Sequence, residues 1–101
     1  MEIVKQRDGA QLTVRLRGRF DSNTSDSVTC ALEGELDDGL EELVFDMAGV
    51  DFISSKGIRV LIATGKQLKA KGADLAVCGA NAAVLEVLRM AGLDKRLTIR
   101  P

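Results

Sequence analysis

The chain has 101 residues and a mass of 10.8 kDa, which suits one domain spanning 1–101 with a single core and no need of metal or disulfide support. Hydrophobic residues make up 46% and aromatics only 3%, so the core is aliphatic, and both disorder and base-stacking platforms for nucleic acid are argued against. There is no His, there are only two Cys, and the formal net charge is −1, which removes imidazole catalysis, His-ligated metals, CxxC chemistry and a strongly basic nucleic-acid surface.

The first predicted element is a short strand over Glu2–Gln6. Asp8-Gly9 signals a hairpin turn. From Gln11 to Gly18, Leu12, Val14 and Leu16 alternate with Thr13, Arg15 and Arg17, the period of a half-buried strand. The period then changes. Val28, Ala31, Leu32 and Leu36 predict an amphipathic helix from about Thr24 to Leu36, with Ser22, Asn23 and Thr24 as cap candidates.

Glu42–Met47 holds Leu43-Val44-Phe45, an apolar run that suits a strand covered on both faces or mostly so. Ala48–Ile53 reads as a loop anchored by apolar side chains, followed by Ser54-Ser55-Lys56-Gly57. Ile58, Leu61, Ile62, Gly65 and Leu68 then form one helical stripe that runs to about Lys71, with Gly72 as C-cap. Asp74–Gly79 is a further strand. Asn81 caps a third helix with Val84, Leu85, Leu88 and Ala91 inward, and Leu97–Arg100 is a last short strand. The order ββαβαβαβ predicts an α/β fold with a mixed, mostly parallel sheet, an N-terminal β-hairpin and about three covering helices.

Cys30 and Cys78 lie in apolar surroundings and read as buried free thiols, so a reducing cytoplasm is the expected address. The N-terminus lacks the apolar core of a signal peptide, and no apolar run approaches the roughly eighteen residues of a membrane span. Charge is distributed in blocks. Between Phe20 and Ser55 lie ten acids and no Lys or Arg; all 14 basic residues lie outside that window. Two readings follow: opposed faces that steer protein partners, or two solvated faces that partly neutralise each other.

The segment Phe52-Ile53-Ser54-Ser55-Lys56-Gly57-Ile58 joins a strand to a helix N-terminus. One serine suffices as N-cap, worth about 1 kcal/mol. Two hydroxyls in tandem exceed that need, and Gly57 in the first turn lowers helix propensity, which points to a close backbone approach. With no His to activate a serine and no Walker-type or kinase Gly-rich loop, catalysis by this chain is not expected. An exposed serine at a helix start can still accept a phosphoryl group from another protein.

Six segments occur in order along nearly the whole chain: Gly18-Arg19-Phe20-Asp21, Leu43-Val44-Phe45-Asp46, Gly49-Val50-Asp51-Phe52-Ile53-Ser54-Ser55, Gly57-Ile58-Arg59-Val60-Leu61, Lys71-Gly72-Ala73-Asp74-Leu75 and Met90-Ala91-Gly92-Leu93-Asp94. On these the chain resembles the STAS domain family, and within it the small stand-alone bacterial anti-sigma factor antagonists. The resemblance implies a partner-switching protein. The unmodified form binds an anti-sigma factor that is a serine kinase of GHKL type. Phosphorylation releases it, and a PP2C-type phosphatase resets the switch. Aligned on the glycine, the phosphoacceptor is Ser55, with Ser54 as the alternative, and Asp21 matches an acid close to that serine.

The expected partner surface comprises Asp21, Asp51, Phe52, Ile53, Ser54, Ser55, Lys56, Gly57 and Arg59. No cofactor, metal, nucleic acid or membrane is implied, and the free chain is expected to be a monomer. Two departures from the family pattern stand out: Ser54 where Asp is common, and Lys56 where a small residue is usual. A different class of function, a STAS-like scaffold or soluble subunit of a signalling or transport complex, uses the same fold with Ser55 as a mere cap.

Overall fold

Alternation in the second predicted strand turns Leu12, Val14 and Leu16 to one side, and all three are fully buried. The computed structural model, which describes residues Met1–Pro101, builds a sheet around that strand. Strands β1 (Glu2–Asp8) and β2 (Gln11–Phe20) form an antiparallel hairpin that turns at Gly9. There follow α1 (Ser25–Leu32), β3 (Glu42–Ile53), α2 (Ser55–Ala70), β4 (Asp74–Cys78), α3 (Ala82–Met90), a 3-10 turn (Leu93–Lys95) and β5 (Thr98–Arg100). The order is the expected ββαβαβαβ.

The strands lie β1-β2-β3-β4-β5 across the sheet, and every pair after the hairpin is parallel. Because this order never reverses, right-handed crossovers put all three helices on one face. A single apolar cluster unites Leu12, Val14, Leu43, Phe45, Leu75 and Val77 of the sheet with Val28, Leu61 and Leu88 of the helices. Val44 and Ala76 are buried too, yet lie outside that cluster, because period two turns them to the helix-free face. Long polar side chains cover them there. Arg15 pairs with Asp46 at 3.3 Å, and Arg100 reaches Glu42 at 2.7 Å, crossing β4 diagonally above Ala76.

The charge blocks resolve into internal pairing. Every ion pair takes its acid from the window 21–54 and its base from outside: Lys5–Glu35, Arg7–Asp37, Arg15–Asp46, Arg19–Asp21, Lys56–Asp26 and Arg100–Glu42. Mutual neutralisation therefore describes six of the ten window acids and six of the 14 basic residues. Exposed pairs of this kind each contribute only about 0–1 kcal/mol.

Three local expectations are corrected. Helix α1 stops at Leu32 rather than Leu36, because Glu33 is extended (ψ 129°) and Gly34 takes φ 79°, a left-handed conformation that leaves the helix. Leu36 still packs against the core from the turn, and Lys5 from β1 donates to the Ala31 carbonyl at 3.0 Å, supplying a cation that the last turn of α1 lacks. Cys30 is exposed, not buried: it sits two residues from both Val28 and Leu32, on the far side of the helix. Cys78 is half-buried beside Asp46, and burial first, then that carboxylate, pushes its thiol up, away from the reactive thiolate. Ala91 is likewise exposed, since α3 ends at Met90 before the stripe reaches it.

The largest correction concerns Ala48–Ile53. It is strand, not loop. β3 has 12 residues against 10 in β2, and the register slips between Arg15 and Arg17 and again between Gly18 and Arg19. Each slip is a bulge that inserts one extra residue in β3 and breaks the period-two pattern. Gly49 serves the first bulge, where a Cβ would stand 2.9 Å from the Arg17 side chain.

Glu42 gives a pH test of the helix-free face. The hydrogen bond from Arg100, then that from Gln11, hold its carboxyl below the usual glutamate range against the opposing effect of burial. A depressed folded pKa stabilises above the unfolded value and loses that contribution as the pH falls through the folded one. Glu42→Gln is expected to flatten the fall in urea midpoint below about pH 5. An unchanged acid slope would show that the pair is not coupled to folding.

Candidate functional site

The C-terminal ends of β2 and β3 meet the N-terminus of α2, the place where open parallel sheets gather functional residues. The join is made by backbone. Phe20 pairs with Ile53 in the sheet, and the Phe20 carbonyl accepts the Ser54 amide at 2.9 Å. The first turn of α2 then sits directly on that carbonyl. A Cβ at Gly57 would lie 2.8 Å from the Phe20 oxygen and 2.9 Å from Ile53 Cγ1. The close approach anticipated for Gly57 is thus made by the chain's own β2. Gly57 and Ile53, both expected on the partner surface, are buried and position the site from beneath.

Ser54 and Ser55 divide the labour. Ser54 is the N-cap, extended at φ −93° and ψ 173°, and its Oγ accepts from the Gly57 amide at 3.2 Å. Ser55 is the first helical residue and is exposed. No group of the chain engages its hydroxyl. The Ser55 and Lys56 amides, like those of any first turn, have no carbonyl partner.

Asp21 leaves β2 one residue after Phe20 and is half-buried. Its Oδ1 accepts from the amides of Asn23 (3.0 Å) and Thr24 (3.2 Å), so it organises the entry to α1 that Ser22, Asn23 or Thr24 were expected to cap. Burial pushes its carboxyl up, but the two backbone donors, with Arg19 and Thr24, outweigh that and hold it below the usual aspartate range. Asp21 is thus ionised at neutral pH and fixed beside the start of α2.

The second bulge in β3 exposes Asp51 and Phe52 in succession. Phe52 is 41% exposed, the only Phe not in the core, and the Arg19 guanidinium lies 4.4 Å from its ring centroid. Arg19 also donates to Asp21 at 3.4 Å. It therefore ties Phe52 to Asp21 and belongs to the site, although sequence reasoning left it unassigned. Its outward position in Gly18-Arg19-Phe20-Asp21, next to inward Phe20, is the one signal the sequence offers; the aromatic opposite it comes from β3. On the other flank Lys56 pairs with Asp26 at 3.6 Å, joining the starts of α1 and α2. Arg59 lies one turn further along and lines a groove of about 950 Å³ between those helices.

The site is thus an apron around the start of α2, with Arg19, Asp51, Phe52, Ser55, Lys56 and Arg59 exposed and Asp21 half-buried. No group of three His, Cys, Asp or Glu is placed to hold a metal ion. No helix is long and apolar enough to cross a membrane.

A five-stranded sheet of this order, with its helices on one face, defines a class. The STAS domain family matches residues 2–101, and the chain belongs to it. It is 31% identical over 100 residues to the anti-sigma F factor antagonist of Paenibacillus polymyxa, an alignment covering 98% of this chain and 86% of that protein. Among solved structures, an anti-sigma factor antagonist from Mycobacterium paratuberculosis superposes with a TM-score of 0.88 at 24% identity, covering 99% of this chain and 85% of that one. The Bacillus cell fate determinant SpoIIAA in its phosphorylated form gives 0.78 at 12% identity, over 97% and 90% of the two chains. These likenesses establish the fold.

The division between the serines is testable by stability alone. Ser54→Ala is expected to cost about 1 kcal/mol in urea unfolding through loss of the cap, and Ser55→Ala less than about 0.5 kcal/mol. Equal losses would mean that both hydroxyls serve the helix start. Gly57→Ala is expected to cost about 2 kcal/mol despite the better helix propensity of alanine, because its methyl meets the Phe20 carbonyl. A neutral or stabilising result would show that α2 can slide.

Proposed function

We propose that this chain is an anti-sigma factor antagonist that changes partners by phosphorylation of Ser55. The observation that carries the reading is the free, exposed hydroxyl of Ser55 beside a cap already supplied by Ser54. The likeness to a curated antagonist over nearly the whole chain supports the same role. The unmodified apron binds an anti-sigma factor that is a serine kinase of GHKL type. The Ser55 oxygen attacks the γ-phosphorus of the kinase's ATP, ADP leaves, and the hydroxyl proton passes to a base on the kinase. Hydrolysis by a PP2C-type phosphatase restores the serine. The chain is the substrate in this cycle and catalyses no step of its own.

Phosphorylation adds about −1.5 to −2 charges. The helix dipole favours an anion at this end, so the domain stays folded. Lys56 is adjacent but already shared with Asp26, and Asp21 and Asp51 add charge of the same sign. Burying that dianion against a partner without a matching cation is strongly unfavourable, and weakening beyond tenfold needs only about 1.4 kcal/mol. Phe52, clamped by Arg19, is the apolar anchor of the contact.

The test is a pull-down from the native cells with wild-type, Ser55→Ala and Ser55→Asp baits, with phosphosites mapped on the endogenous protein. Wild type and Ser55→Ala are expected to retain a GHKL-type kinase, and Ser55→Asp to lose it while keeping its melting temperature. Phosphate is expected on Ser55 and not on Ser54. Equal recovery with all three baits and no phosphate on either serine would replace the switch by a scaffold role.

A further inference from the structure

On the flank of α2 that faces away from α1 lies a second hollow, of about 340 Å³, which the apron does not touch. Its apolar lining is Leu61, Ile62, Leu75, Leu93 and Leu97; Leu61, Leu75 and Leu93 are buried beneath it, and Ile62 and Leu97 are half-buried at its surface. The rim is basic on both sides. Lys66 and Lys69 stand nearly one turn apart on α2, and Lys95 and Arg96 face them from the 3-10 turn. No carboxylate lines the hollow, and none of these four cations takes part in an ion pair, in a chain where the window acids neutralise so many of the others. All four are exposed around the hollow and free to meet an anion there.

Gly65 is an independent observation. It lies in the interior of α2 and lines the same hollow. Glycine there disfavours the helix. Neither conformation nor packing requires it: its φ is not positive, and a Cβ would stand 3.5 Å from Leu75 Cδ2, an ordinary contact. Gly57 is forced by the Phe20 carbonyl; Gly65 is forced by nothing in the fold. What its missing side chain does is keep the floor of the hollow open.

We propose that this hollow binds a small amphiphilic anion. An unbranched aliphatic chain lies against Ile62 and Leu97, over the buried Leu61, Leu75 and Leu93, and its carboxylate or phosphate head sits among Lys66, Lys69, Lys95 and Arg96. The volume falls at the small end of ligand pockets, about 300–1,000 Å³, and suits one short acyl chain. With no aromatic ring in the lining, nothing stacks on a nucleotide base. Cations on both walls clamp one head group, where an extended acidic peptide would need a basic track continuing beyond the hollow.

The test is a titration of the isotope-labelled full chain, followed by amide NMR, with sodium decanoate, decyl phosphate and neutral decyl maltoside. Saturable shifts at Gly65, Leu93 and Leu97 are expected with both anions, at least tenfold tighter than with the maltoside. Lys69→Glu combined with Arg96→Glu is expected to weaken decanoate at least tenfold. Gly65→Ala separates fold from site: it is expected to raise the melting temperature by about 4 °C while weakening decanoate several-fold. Unchanged affinity in the charge-reversed variant, equal affinity for the maltoside, or no saturable shift with either anion would overturn the proposal. Sedimentation with phosphatidylglycerol vesicles, without decanoate shifts, would also overturn it and assign the cations to a bilayer surface.

Discussion

The carbonyl of Phe20 is the point on which the site depends. It ends β2, accepts the amide of Ser54, and lies where a side chain at position 57 would have to be. Those facts fix the height and phase of α2 over the sheet. Once the phase is fixed, Ser54 must point into the first turn and Ser55 away from it. The exposure of Ser55 is thus a consequence of backbone packing at the end of β2. Nothing about the hydroxyl itself puts it there. The same register brings Asp21, one residue beyond Phe20, to the start of the neighbouring helix, where its carboxylate is held by amides of its own turn.

A sheet whose strands follow one another in order has unequal faces. The helices cover one, and the apolar core lies entirely on that side. The other is sealed around Val44 and Ala76 by arginines and their carboxylate partners. Helix α2 is the element exposed to partners in most ways, because it has α1 on one side and the 3-10 turn on the other, and each boundary leaves a hollow. Its N-terminus presents the serine pair, and its C-terminal half presents cations that nothing in the chain neutralises.

The order of elements, the hairpin, the aliphatic core and the caps of α2 and α3 were all readable from the residues, because period and capping chemistry are local. What escaped were features set by pairing between distant segments. Ala48–Ile53 looked irregular since two bulges scramble its alternation, and bulges are defined only against the partner strand. Cys30 looked buried because its neighbours are apolar, although helical phase turns it outward. Ser54 and Ser55 could not be told apart as cap and free hydroxyl, since that depends on the Phe20 contact. Arg19 was passed over because the aromatic it covers arrives from another strand.

The segregation of charge along the chain has a consequence for the state that the structure does not depict. Before folding, the acidic middle is flanked on both sides by basic stretches and has no internal cation with which to pair. The denatured ensemble is therefore a block polyampholyte whose ends are drawn to its centre, more compact than a chain with the same residues evenly mixed. Attraction of the same sense acts on both sides of the folding equilibrium. Salt weakens it in both, so the many native ion pairs leave only a shallow dependence of stability on ionic strength.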